Sequence, residues 1–132
     1  MSSTYTIGDF LIRLKNAYLA GKQDMTIVKT KNVTSLAKIL KEEGYIKDVK
    51  EHEEKGARTT LILTLLYKKN NPALTDVKII SKPSIHRYVG KDELKKIGRN
   101  YGIGILSTNK GFLTTKDALK ENVGGELICR LS

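Results

Sequence analysis

Long helical hydrophobic spacing is confined to the first third of the chain, and that asymmetry narrows the folds open to it. Ile7, Phe10, Leu11, Leu14, Tyr18 and Leu19 recur at helical intervals, and Gly21 follows as a stop. Val33, Leu36, Ile39 and Leu40 repeat the pattern within NVTSLAKILKEEG, where Gly44 supplies the left-handed residue a helix end favours. A strand is expected between them at Met25 to Lys29. YIKDVKEH and RTTLILTLLY flank the turn-forming EEKGA and read as a hairpin. The polar KKNNPALTD, with its proline, reads as a break. Beyond it the apolar runs shorten. DVKIISKP reads as a strand stopped by Pro83, IHRYVG as a short extended piece, and KDELKKI as one helical turn. GIGILST reads as a strand and GGELICRL as a closing one, with a short helix, TKDALKEN, between them. Thr114, three residues ahead of Asp117, gives that helix a start resembling a capping box. The expected fold class is α+β in two small subdomains: an N-terminal α/β part (1–68), a linker (69–75), and a C-terminal, mainly β part with a short helix (76–132).

Charge narrows the function. Twenty-four basic against fourteen acidic residues give +10 and a pI near 9.7 in 132 residues, a balance common in proteins held on phosphate backbones. The charge is also polarised. Residues 78–110 hold eight bases (Lys78, Lys82, Arg87, Lys91, Lys95, Lys96, Arg99 and Lys110) against the two acids Asp92 and Glu93, whereas 42–54 is acidic. Such segregation points to a positive face. The single cysteine, Cys129, excludes an internal disulfide, and two histidines argue against a metal site. No apolar run approaches the ~20 residues of a spanning helix, and the N-terminal stretch lacks the features of a secretion signal. A reducing, cytoplasmic compartment is expected, with no cofactor, no membrane and no small-molecule substrate.

Catalytic readings fail for want of partners. Ser107 as a nucleophile needs a base within hydrogen-bond reach. The histidines that could serve are His52, in an acidic hairpin, and His86, at a basic strand end. Cys129 in LICRL reads as a buried strand cysteine. GIG at 102–104 begins a nucleotide-binding fingerprint, but Ser107 holds its third glycine position, and no GxxxxGK[ST] occurs.

LSTNKGFLTT, at 106–115, is more informative. Ser107, Thr108, Asn109 and Lys110 precede Gly111, and Thr114 and Thr115 follow. Hydroxyl and amide groups donate and accept, which suits RNA 2′-hydroxyls, phosphate oxygens and unpaired base edges. Lys110 can meet a phosphate. Gly111 and the pair Gly124–Gly125 permit positive φ or close backbone approach, and Tyr88 offers a ring for stacking.

GIGILSTNKGFLTTKDALKENVGGELICRL closely resembles the C-terminal signature of the small-subunit ribosomal protein eight family, bacterial type. IGDFLIRLKNA, LKEEGYI, ISKP and YVGKDEL resemble other family segments in the same order, so the likeness covers nearly the whole chain. The resemblance implies a non-enzymatic, primary binder of small-subunit rRNA, attached to an irregular helix of the central domain and monomeric within the ribosome beside neighbouring small-subunit proteins. It implies a contact loop at Ser107, Thr108, Asn109, Lys110 and Gly111. Glu126 would brace that loop and Tyr88 would lie beside the RNA, with Arg87 and Lys82 in the adjoining basic segment. Arg13, Lys15 and Asn16 correspond to a helix face lying against rRNA. The sequence departs from the family pattern at Asn109 (commonly serine), Ser84 (glycine), His86 (an arginine, here one place later at Arg87), Lys95 (proline) and Leu119 (arginine). Two rival readings are a repressor of its own operon's mRNA, using the same surface, and a small transferase using GIG for phosphate.

Overall fold

The computed structural model describes residues 3–80, 87–90, 92–94 and 102–132. Lys82, the strand stop at Pro83, Ser84, His86, Lys95 and most of the expected helical turn in KDELKKI lie outside them. The chain forms two compact units, Thr6–Thr75 and one built on Asp76–Ser132. It is an α+β protein.

The first unit follows the periodicities of its sequence. Helix α1 (Ser3–Leu19) and helix α2 (Lys31–Glu42) contribute their apolar stripes. Strands β1 (Asp24–Val28), β2 (Ile46–His52) and β3 (Thr60–Leu65) form an antiparallel sheet in the order β1-β3-β2. Leu61, Leu63 and Leu65 alternate inward along β3, as a half-buried strand requires. Phe10, Leu11, Leu14, Leu36, Leu40 and Ile46 are fully buried. The caps are local and specific. Thr30, extended at φ −132, accepts the Val33 amide at 3.1 Å and starts α2. At the other end Tyr45 N–H bonds Leu40 C=O at 2.8 Å and Gly44 N–H bonds Lys41 C=O at 3.2 Å. That pair of bonds is a Schellman ending, which Gly44 permits at φ +81. One tyrosine ties three elements together: the buried Tyr18 hydroxyl donates to Tyr45 C=O and accepts Leu66 N–H at 3.1 Å.

The stretch expected as a linker, 69–75, is not structureless. Strands β4 (Tyr67–Lys68) and β5 (Asn71–Pro72) pair across Lys69 and Asn70, both left-handed at φ 53 and 66. Two consecutive positive φ values define a type I′ hairpin, whose twist suits paired strands. Ala73 N–H then bonds Leu66 C=O at 2.9 Å, and Leu74 is buried.

The second unit holds β6 (Val77–Ile79), β7 (Tyr88–Val89), β8 (Ile103–Thr108), β9 (Gly111–Thr114) and β10 (Gly125–Leu131), with helix α3 (Thr115–Glu121). The sheet runs β6-β10-β8-β9, antiparallel, and β7 also pairs with β10. Val89, Leu94, Leu106, Ala118 and Leu127 form the core under α3, with Leu113, Leu119 and Val123 packed against it. Between Leu127 and Cys129 the ladder slips by one residue. Ile128 is the extra residue of this bulge, and its carbonyl accepts Ile80 N–H at 2.9 Å. Three successive residues, Leu127, Ile128 and Cys129, are consequently all buried. Thr114 caps α3 by accepting Asp117 N–H at 3.1 Å, and Asn122, left-handed at φ 57, closes it where the earlier helices use glycine.

Candidate nucleic-acid interface

Strands β8 and β9 are joined by Asn109 and Lys110, between the paired residues Thr108 and Gly111. Gly111 sits at φ +98, a conformation that a side chain would strain, so the glycine belongs to the turn itself. Thr108 braces the turn twice. Its hydroxyl donates to Gly111 C=O at 2.8 Å and accepts Lys110 N–H at 3.0 Å. The side chains of Asn109 and Lys110 are left exposed at the tip.

The ladders fix what stands beside this turn. Glu126 is the register partner of Ser107 on one side and of Tyr88 on the other, and Ser107 is in turn the partner of Phe112. Partners in antiparallel ladders project to the same face. Tyr88, Glu126, Ser107 and Phe112 therefore form one row across β7, β10, β8 and β9. Their chain neighbours Val89, Leu127, Leu106 and Leu113 point the other way, into the core. The row's outer end is open: Tyr88 is 73% exposed, a strand tyrosine with its ring in solvent. Close strand spacing makes the row compact. A Cβ on Gly125 would strike Ser107 C=O and come within 2.9 Å of the Thr108 methyl, and one on Gly124 would meet Val89 C=O at 2.5 Å.

The cations near the row are paired but exposed. Lys110 Nζ lies 3.0 Å from Glu121 on α3, and Arg87 lies 3.6 Å from Glu93. With about half of each side chain in water, such pairs contribute ~0–1 kcal/mol and yield readily to a phosphate. Glu121 and Phe112 are the two participants that sequence reasoning missed. Lys110 and Glu121 are eleven residues apart and meet only because α3 folds back beside the turn. Thr114 and Thr115, at the end of the same polar stretch, stand apart from the exposed groups, and Thr114 caps the helix as its spacing to Asp117 predicts. Both are buried, at 1% and 4% exposure, where Thr114 caps α3 and the Thr115 methyl lies over Gly104. Neither is available to a ligand.

In the other unit, Arg13 and Asn16 share an α1 face and line a groove of about 580 Å³ with Lys22 and Thr26. The Arg13 guanidinium donates to Thr26 C=O at 3.1 Å. Lys15 projects from a different face and is half-buried. Lys82 lies outside the described residues.

Cys129 is fully buried, and burial pushes its thiol up to about 12, which keeps it protonated. His52 is exposed beside Glu54 at 3.8 Å, in the other unit from Ser107. Among the described residues no cluster could hold a metal ion, and no helix is long and apolar enough to cross a membrane. Fold and surface together describe a small α+β protein that presents a row of polar and aromatic groups beside a braced turn. Comparison with known proteins is specific. Residues 5–131 match the ribosomal protein S8 family. The chain is 44% identical over 131 residues to the small ribosomal subunit protein uS8 of Persephonella marina, covering 96% of each. It is 40% identical to that of Nostoc punctiforme over 131 residues and 39% identical to that of an Anaeromyxobacter species over 130, covering 98% of each chain in both cases. The chain belongs to the ribosomal protein S8 family, whose members are structural, non-enzymatic ribosomal components.

Proposed function

We propose that this chain is a primary rRNA-binding protein of the small ribosomal subunit, holding an irregular helix of the central domain and helping to assemble the platform around it. The observation that carries the reading is the row Tyr88–Glu126–Ser107 beside the braced turn with Asn109 and Lys110 at its tip. Each member has a chemically distinct part. Tyr88 offers an exposed ring on which an unpaired base can stack. Ser107 and Asn109 donate to and accept from base edges and 2′-hydroxyls. Lys110, Arg87 and Lys82 supply charge for phosphates, with Lys110 exchanging its contact to Glu121 for one to the backbone. A carboxylate is repelled by phosphate, so Glu126 acts on its neighbours in the row or on a base amino group. Thr108 and Gly111 shape the turn. On α1, Arg13 and Asn16 form a further contact, with Lys15 beside them in sequence. The protein works as a monomer within the cytoplasmic ribosome, among neighbouring small-subunit proteins.

Footprinting on naked small-subunit rRNA tests this. Protection should fall on one irregular central-domain helix without any other protein being added. Protection that needs a second ribosomal protein, or none at all, would contradict primary binding.

A further inference from the structure

Phe112 closes the row of side chains beside the turn, and the contacts assigned so far leave it without a part. The chain has two phenylalanines and no tryptophan. Phe10 is fully buried in the first unit. Phe112 is only half-buried, and it is not among the side chains packed on the core under α3. Its strand, β9, ends the sheet, so among the described residues no further strand flanks it. Its register partner on the inner side is Ser107, too small to cover a ring. Among the described residues the one ring pair is Tyr18 with Tyr67. A side chain that contributes most when its ring is covered therefore stands at a sheet edge, next to Gly111 and the turn, with part of its surface in water.

We infer that Phe112 is a second stacking platform, which takes an unpaired base at the end of the row opposite Tyr88, an assignment that rests on the RNA-binding reading above. Register fixes the separation. Tyr88, Glu126, Ser107 and Phe112 stand on four successive strands, and three spacings of about 4.8 Å put the two rings roughly 14 Å apart. That is too far to clamp one base and suits two nucleotides splayed from an irregular helix. Between the rings stand a carboxylate and a hydroxyl, groups that meet base edges. Aromatic rings set among polar groups on one face of a four-stranded sheet hold unpaired bases well, because every base has a π-face. Paired bases inside a regular duplex offer no free face. Phe112 thus favours irregular RNA over a plain duplex, and does so without charge.

The test titrates the full-length protein with the cognate central-domain helix and with a regular duplex of equal length. Phe112→Leu keeps apolar bulk and removes the ring. Cognate affinity should fall about fivefold or more, the low end of a lost stacking contact. The salt slope should not change, because no charge is lost, and duplex binding should match wild type. Abasic substitutions, made one at a time at the unpaired nucleotides, should locate the partner. At one of them the Phe112→Leu penalty disappears, and at a different one the Tyr88→Leu penalty does. Phe112→Trp gives a readout independent of how the leucine variant folds. It introduces the chain's one indole, whose emission should be quenched by the cognate helix and not by the duplex. Wild-type affinity in Phe112→Leu, equal losses on both RNAs, or tryptophan emission indifferent to the cognate helix would overturn the inference. Failure of the underlying RNA-binding reading looks different: wild type would not prefer the cognate helix to the duplex.

Discussion

Replacing Thr108 by valine removes one hydroxyl and almost nothing else. The branched shape is retained, including a methyl where the Thr108 methyl lies over Gly125, and valine suits a strand end. Two hydrogen bonds are lost, the 2.8 Å donation to Gly111 C=O and the 3.0 Å bond accepted from Lys110 N–H. Each is worth about 0.5–1.5 kcal/mol net. Both are at an exposed turn where water compensates in part, so the sum should be near the lower end, about 1–2 kcal/mol. At roughly 4 °C per kcal/mol, the melting temperature should fall by about 4–8 °C. The looser turn must then be ordered when RNA binds, and affinity for the cognate helix should drop about tenfold, or ~1.4 kcal/mol. Thermal unfolding by circular dichroism and a titration at fixed salt measure the two effects. Asn109→Ala is the control, because its exposed side chain should affect binding and leave stability alone. A Thr108→Val protein with wild-type stability and affinity would refute the bracing role. Lost affinity with intact stability would mean that the hydroxyl touches RNA directly.

Gly125→Ala should destabilise by about 1–3 kcal/mol in urea, because its Cβ would strike the Ser107 carbonyl of a paired strand and not a movable side chain. Tyr18→Phe removes both hydroxyl bonds, to Tyr45 C=O and from Leu66 N–H, and should lower urea stability by about 1–3 kcal/mol. Burial raises the Cys129 thiol from 9.0 to about 12, so native protein should resist thiol reagents at pH 8 until denaturant is added. The same shift sets a sign: its contribution is fully present below pH 9 and is lost as pH rises toward 12, because the unfolded thiol ionises first. Alkaline destabilisation in that window should be smaller in Cys129→Ala.

The fold class was legible because its determinants are local. Apolar spacing marked α1 and α2, Gly44 marked an ending that only a left-handed residue completes, and Thr114 marked the start of α3. What escaped depends on partners distant in the chain or on uncommon backbone. The 69–75 stretch read as a break because its turn residues, Lys69 and Asn70, adopt positive φ without a glycine to signal it. The bulge at Ile128 and the row Tyr88–Glu126–Ser107–Phe112 are consequences of strand register, which pairs residues up to 38 positions apart. Thr114 and Thr115 show how the polar stretch divides between surface and interior. A polar residue in a loop sequence suggests a surface group, yet a hydroxyl that caps a helix or packs through its methyl is satisfied inside. The candidate contact residues were picked by chemistry and by family resemblance. Their grouping on one face could be stated only once the ladders were known.

The most direct test of the central claim is a paired titration of the double variant Ser107→Ala, Asn109→Ala. Cognate central-domain helix and a scrambled helix of equal length are titrated at one salt concentration, with circular dichroism confirming the fold. Charge attraction tolerates displacement, whereas hydroxyl and amide groups must meet particular partners at hydrogen-bond distance. Cognate binding should weaken by roughly 1–3 kcal/mol, if one or two buried bonds are lost, while scrambled-helix binding hardly changes. Equal losses on both RNAs, or no loss on either, would contradict the assignment of this turn as the element that reads the RNA.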